Sequence, residues 1–379
     1  MSSRLQSSKR LVIKVGSALL VESAGRLRTQ WLQALADDVA RCRTRGQDVV
    51  LVSSGAIALG RRILKLPQGP LPLEQKQAAA AAGQIRLSAA YQDVLGKHEI
   101  SAAQVLLTGD DTESRRRYLN ARNTLSTLLE LGAVPVINEN DTVATEEIRY
   151  GDNDRLAARV AQMVSADCLV LLSDVDGLYT ADPSRNPDAR WLPEVREITP
   201  EIEGYAGVSG TDMGSGGMVT KLMAARYAMA AGCQTLLTLG KPKDSDGGPL
   251  AAVEAGARGT WFVPGANPRT ARKNWIASGI PPQGSLTLDA GALGALAKGK
   301  SLLPAGVAAV AGEFQRGDAV VLRDGAGREI GRGLSAYSAA EARAIAGHKS
   351  GEIEGLLGYR GRDEMVHRDD LVLNEGVGA

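Results

Sequence analysis

Six short stretches gather side chains able to handle anions. "VIKVGS" places Lys14 inside an apolar run, where a lysine needs an anionic partner or a route to the surface. "GSGGMVTKL" (214–222) sets Gly214, Ser215, Gly216 and Gly217 ahead of Met218, Val219, Thr220 and Lys221. Glycines let successive backbone N–H groups turn toward an anion, and a helix start adds unpaired donors. A lysine in a first helical turn opposes the dipole, so something negative is expected near Lys221. "SSGA" holds Ser54, "NENDT" holds Asp141, "GDND" holds Asn153 and Asp154, and "SDVDGLY" holds Ser173 and Asp174. Taken alone, "GDND" also reads as an ordinary helix N-terminus, since Asp and Asn cap helices.

The inventory also excludes chemistry. The order of "GSGGMVTKL" is not a Walker A loop, which has its lysine just before a hydroxyl. No G-x-G-x-x-G follows a strand and no G-x-S-x-G elbow is present. His98, His348 and His367 are scattered, with no metal-ligand spacing. Lysines, carboxylates and backbone amides remain, a set suited to phosphoryl transfer, where positioning and charge neutralisation dominate.

Those residues need elements to hold them. Apolar, β-branched runs at 10–16, 48–55, 103–108, 133–140, 168–177 and 234–240 read as strands. Helical patterns lie between them: one capped by Thr29 and stopped by Gly46, an Ala-rich one over 73–95, and others over 114–131, 154–165 and 218–231. Such alternation predicts an α/β domain, a three-layer, doubly wound and mostly parallel sheet with helices on both faces. In such sheets ligands gather at the carboxyl ends of strands, where four of the six stretches fall. We expect residues 1–264 to form this domain, a Pro/Gly/basic linker over 265–283, and a small β-rich domain over 284–379. There "RDGAGRE" reads as a hairpin turn, and Ser338 with Glu341 as a capping box for one short helix.

Bulk properties agree. The 379 residues contain 44 basic and 43 acidic side chains, so charge does not point to a polyanion partner. Cys42, Cys168 and Cys233 show no C-x-x-C spacing, compatible with a reducing, cytoplasmic setting. The polar, basic N-terminus is not a secretory signal, and no run is long and apolar enough for a membrane span.

With "VIKVGS", "LVSSGAIALG", "VINENDTV", "YGDNDRLAARVA", "LLSDVDGLY" and "GSGGMVTKL" in hand, the chain resembles the amino acid kinase family, specifically its glutamate-phosphorylating members. Tyr150, where Phe is common, and Ser215, where Thr is frequent, are conservative departures. The C-terminal part resembles a PUA domain, a small β-barrel. The resemblance implies ATP as phosphoryl donor with Mg²⁺, glutamate as acceptor, a homo-oligomer (dimer or tetramer) and proline as a feedback inhibitor. It implies that Lys14 and Lys221 neutralise the transferring group while Asp154 holds them. Ser54, Asp141 and Asn153 would bind glutamate. Lys14, Ser173, Asp174 and the loop Ser215, Gly216, Gly217, Met218, Val219, Thr220 and Lys221 would bind ATP. The alternatives are a same-fold kinase acting on N-acetylglutamate, aspartate or a nucleoside monophosphate, or an RNA-associated role of the C-terminal domain. Residues 284–379 carry 11 basic and 13 acidic side chains, which disfavours RNA tracking.

Overall fold

A computed structural model describes residues 2–143, 153–206, 217–241, 247–268, 270–271, 273, 276 and 281–374. The chain divides into two compact units, Met1–Glu113 with Asn120–Pro268, and Ser114–Leu119 with Arg269–Ala379.

The first unit is built on strands β1 (Arg10–Val15), β2 (Asp48–Ser53), β3 (Ala102–Leu107), β4 (Val134–Glu139), β5 (Cys168–Ser173), β6 (Leu178–Tyr179), β7 (Trp191–Leu192), β8 (Glu194–Val195), β9 (Gln234–Leu239) and β10 (Gly259–Phe262). Eight of them form one sheet in the order β3-β4-β2-β1-β5-β9-β10-β8. All neighbours are parallel except β9 and β10, so β10 and β8 run opposite to the rest. The chain steps from β1 to β2 on one side and later returns to β5 on the other. That makes β1/β5 the switch point, where a crevice opens beyond the strand ends.

Burial on both faces explains why the central strands read as continuous apolar runs. Leu11, Ile13 and Val15 of β1 join Leu32, Leu35 and Val39 of helix Thr29–Thr44, Leu87 and Tyr91 of helix Leu73–Gly96, and Leu250 and Val253 in one core. Helices Asn153–Met163 and Met218–Ala230 cover the opposite face and pack on each other. Both bury alanines, Ala157, Ala158 and Ala161 on one and Ala224, Ala225 and Ala228 on the other, which permits a close approach.

The helix expected to be capped by Thr29 instead has Arg28 at its N-cap, with Thr29 as its first residue and no side-chain cap. Gly46 follows its end at φ 76°, a left-handed turn suited to glycine. The run 168–177 is a strand only to Ser173; turns follow before the two-residue β6. Much of the expected linker lies outside the described residues.

The second unit carries β11 (Gly284–Leu288), β12 (Val307–Gly312), β13 (Ala319–Arg323), β14 (Glu329–Leu334) and β15 (Leu371–Leu373), hydrogen-bonded in the order β12-β11-β13-β14-β15. β13 and β14 form the hairpin expected around "RDGAGRE". Ser338 and Glu341 make the capping box of helix Ala339–Ile345. Rather than one short helix, this unit also contains α-helices Ala290–Ala297 and Ile353–Leu357. Its core is its own, with Leu286, Phe314, Leu322, Tyr337 and Met365 fully buried. Among the described residues no helix is long and apolar enough to cross a membrane.

Candidate active site

Beyond the carboxyl ends of β1, β2, β4 and β5 lies a cavity of about 870 Å³. Lys14, Ser54, Asn138, Asp141, Asn153, Ser173, Asp174 and Lys221 line it, with Arg61, Arg62 and Lys65 further out.

Its floor is a charged trio. Lys14 pairs in register with Val52 on one side and Leu171 on the other, at the centre of the sheet. Its Nζ lies 2.7 Å from Asp154 Oδ1. Lys221 Nζ lies 3.6 Å from Asp154 Oδ2, and Thr220 Oγ1 donates to the same oxygen at 2.9 Å. The three side chains are buried, Asp154 to 1% exposure. Burial alone would push the Asp154 carboxyl up. The ammonium charges of Lys14 and Lys221, with hydrogen bonds from Lys14 and Thr220, outweigh it and hold the group below its ordinary range. The negative partner expected for Lys221 is thus supplied by the protein itself. With two ammonium groups and one carboxylate, the trio is net positive and faces a cavity sized for a ligand.

Asp154 reaches both lysines because it stands in the first turn of helix Asn153–Met163, where a carboxylate also favours the dipole. Lys221 comes from the fourth residue of helix Met218–Ala230. Gly217 is its N-cap at φ −70° and ψ −176°, extended backbone that any residue adopts, and no side chain caps this end. No left-handed nest is therefore centred on Gly217. Gly214, Ser215 and Gly216 lie outside the described residues, as do Tyr150, Gly151 and Asp152.

The neighbouring wall is made of amides and hydroxyls. Gly55, at φ 111°, turns the chain from β2 into helix Ala56–Ile63 and leaves Ser54 at the strand end. Asn153 Nδ2 donates to Ser54 Oγ at 2.6 Å and to Asn138 Oδ1 at 3.1 Å. Asn153 Oδ1 is buried and accepts no hydrogen bond among the described residues. Asp141 is half-buried, and burial pushes its carboxyl up to about 6. Ser173, at the end of β5, donates to Asp174 Oδ1 at 2.9 Å; Asp174 itself is exposed.

Of the described residues singled out from the sequence, Lys14, Ser54, Asp141, Asn153, Ser173, Asp174 and Lys221 border this cavity, Asp154 pairs with the two lysines that border it, and Thr220 bonds to Asp154, while Gly217 is the N-cap of the Lys221 helix. Met218 and Val219 only carry the helix start, and Val219 is 40% exposed. The sequence reading passed over Asn138 as a site residue, and Gln84, whose Oε1 accepts from Asn138 Nδ2 at 2.9 Å. One signal pointed to Gln84: it is a polar residue on the buried stripe Ala80, Gln84, Leu87, Tyr91 of an otherwise Ala-rich helix.

Residues 9–238 match the amino acid kinase family and residues 284–357 the PUA domain. The glutamate 5-kinase of Paramagnetospirillum magneticum is 64% identical over 98% of this chain and 99% of its own length. That of Paracoccus denitrificans is 60% identical over 98% of each. Among solved structures, a carbamate kinase from Giardia lamblia bound to AMP-PNP aligns with 68% of this chain and 99% of its own, at 14% identity and a TM-score of 0.48. The cavity at the switch point and the two family matches lead to one conclusion: the chain belongs to the amino acid kinase family, with a C-terminal PUA domain.

Proposed function

We infer that the protein is a glutamate 5-kinase, transferring the γ-phosphoryl group of ATP to the side-chain carboxylate of glutamate, the first step of proline biosynthesis. The observation that carries this reading is 64% identity to a glutamate 5-kinase over 98% of the chain.

The chemistry suits the site. A glutamate side chain ionises near pH ~4.3, so the nucleophile is already an anion at neutral pH and needs no general base. Its oxygen forms the new O–P bond while the bond from the γ-phosphorus to the ADP oxygen breaks, giving γ-glutamyl phosphate and ADP. The obstacle is repulsion between two anions. Lys14 and Lys221 offset it at the transferring group, and Asp154 fixes the two ammonium groups before substrate arrives. Ser54, Asp141 and Asn153 bind glutamate: Asp141 and the free Asn153 Oδ1 take the ammonium, and the Ser54 hydroxyl donates to a carboxylate. Ser173, Asp174 and the 215–221 loop bind ATP.

No group of three His, Cys, Asp or Glu able to hold a metal occurs among the described residues. A Mg²⁺ ion would be carried mainly on triphosphate oxygens and water, with Asp174 an exposed carboxylate at the end of β5. When bound, the ion would neutralise phosphate charge. The same reading carries a homo-oligomer and proline as feedback inhibitor.

The test is ATP-dependent formation of an acyl phosphate trapped by hydroxylamine. We expect hydroxamate with glutamate, and little with aspartate or N-acetylglutamate. No hydroxamate above background with glutamate would overturn the substrate.

A further inference from the structure

We propose that Gln84 is a positioning residue for substrate recognition: by accepting from Asn138 Nδ2 it keeps Asn138 Oδ1 on Asn153, and so holds the Asn153 amide in the direction that the Ser53 carbonyl sets, with a hydrogen-bond acceptor rather than a donor toward the substrate's ammonium group. The proposal rests on the glutamate reading above.

Five polar side chains form a line from the cavity wall through buried Asn138 and Gln84 to the exposed Gln104. Asn153 Nδ2 donates to Asn138 Oδ1 at 3.1 Å, and Asn138 Nδ2 donates to Gln84 Oε1 at 2.9 Å. Gln84 Nε2 donates to Ser88 Oγ at 3.1 Å, and Ser88 Oγ donates to Gln104 Oε1 at 2.6 Å. Each amide uses its nitrogen toward the next member, so the amides can reverse only together. One end decides the direction. The Ser53 main-chain carbonyl, which can only accept, lies 3.5 Å from Asn153 Nδ2. Reversal would turn the Asn153 oxygen toward it.

This direction determines what the cavity presents. Asn153 Nδ2 is occupied by Asn138 and Ser54, which leaves the Ser54 hydroxyl proton free to be donated. Asn153 Oδ1, on a residue only 5% exposed, is left without a donor among the described residues. A buried carbonyl oxygen without a partner is costly, and a cationic N–H donor satisfies it. An acceptor and a hydroxyl donor side by side fit the ammonium and carboxylate of an α-amino acid.

Gln84 is held firmly enough for this task. It is 9% exposed and follows Gly83, where a Cβ would stand 1.8 Å from the Ala56 carbonyl oxygen. Helix Leu73–Gly96 therefore meets helix Ala56–Ile63 backbone to backbone, next to Ser54.

The experiment compares Gln84→Met, which keeps the shape and loses both bonds, with Gln84→Glu, which keeps an acceptor for Asn138. Both are assayed as full-length enzyme for the KM of glutamate, the KM of ATP, kcat and the unfolding midpoint. We expect Gln84→Met to raise the glutamate KM about tenfold, with the ATP KM within about twofold, and Gln84→Glu to recover most of the loss. An unchanged glutamate KM, an equal rise in the ATP KM, or no recovery in Gln84→Glu would overturn the proposal. If Gln84→Met does not fold, Ser88→Ala replaces it, with a smaller rise in glutamate KM expected and an unchanged value counting against the relay. Wild-type enzyme that makes no hydroxamate from glutamate removes the substrate reading and the relay together. Wild-type activity with an indifferent Gln84→Met removes the relay alone.

Discussion

Lys14 Nζ and Asp154 Oδ1 stand 2.7 Å apart at the bottom of the cavity, joined from residues 140 positions apart in the chain. The pair is buried, so its value is asymmetric. Forming it gains little net energy, but removing one partner strands a charge away from water. Asp154→Ala leaves two buried ammonium groups without their carboxylate. We expect a loss of about 3–5 kcal/mol in urea unfolding at neutral pH, with a smaller loss in Asp154→Asn. Because the folded carboxyl titrates below its ordinary range, its contribution is present above the unfolded value of about 3.9 and disappears as pH falls through the lowered one. The acid limb of wild-type stability is therefore expected to be shallower in Asp154→Asn.

Lys221→Ala removes one ammonium while Asp154 keeps Lys14. The fold should persist, seen as unchanged circular dichroism, while kcat falls about 10²–10³-fold. Lys14→Ala should behave alike, and the double variant should lose less than the product of the two. Near-normal turnover in Lys221→Ala would take that residue off the catalytic list.

Asp141 titrates near 6 because burial disfavours its charge. If it must be ionised to meet the ammonium of glutamate, kcat/KM for glutamate falls with unit slope below about pH 6, and kcat/KM for ATP does not. Asp141→Asn should abolish that limb. A raised carboxyl costs the folded state above its pKa, so the same variant should melt higher at pH 7–8 than wild type. Equal pH profiles in both proteins would exclude Asp141.

Gly83→Ala places a methyl 1.8 Å from the Ala56 carbonyl oxygen, which cannot yield as a side chain could. We expect a loss of about 1–3 kcal/mol or more, together with a higher glutamate KM as Gln84 is displaced. Gly96→Ala, with no atom within 4 Å of the added carbon, is the control and should change little.

Much of this protein was legible in the chain because the relevant physics is local. Apolar β-branched runs such as 48–53 and 168–173 form strands wherever a sheet buries both faces, and Ser338 with Glu341 caps a helix through bonds three residues apart. A lysine in an apolar strand and another in a first helical turn announced that an anion was needed. The family resemblance named Asp154 as the group that holds the two lysines, but residue spacing by itself could not state where that anion would come from. Spacing cannot say that Asp154 lies between Lys14 and Lys221, because that depends on two alanine-faced helices packing over β1, β5 and β9. Nor could it expose Gln84: its role follows from a backbone contact between two helices and from the direction of an amide relay, both decided only when distant segments close around one buried acceptor.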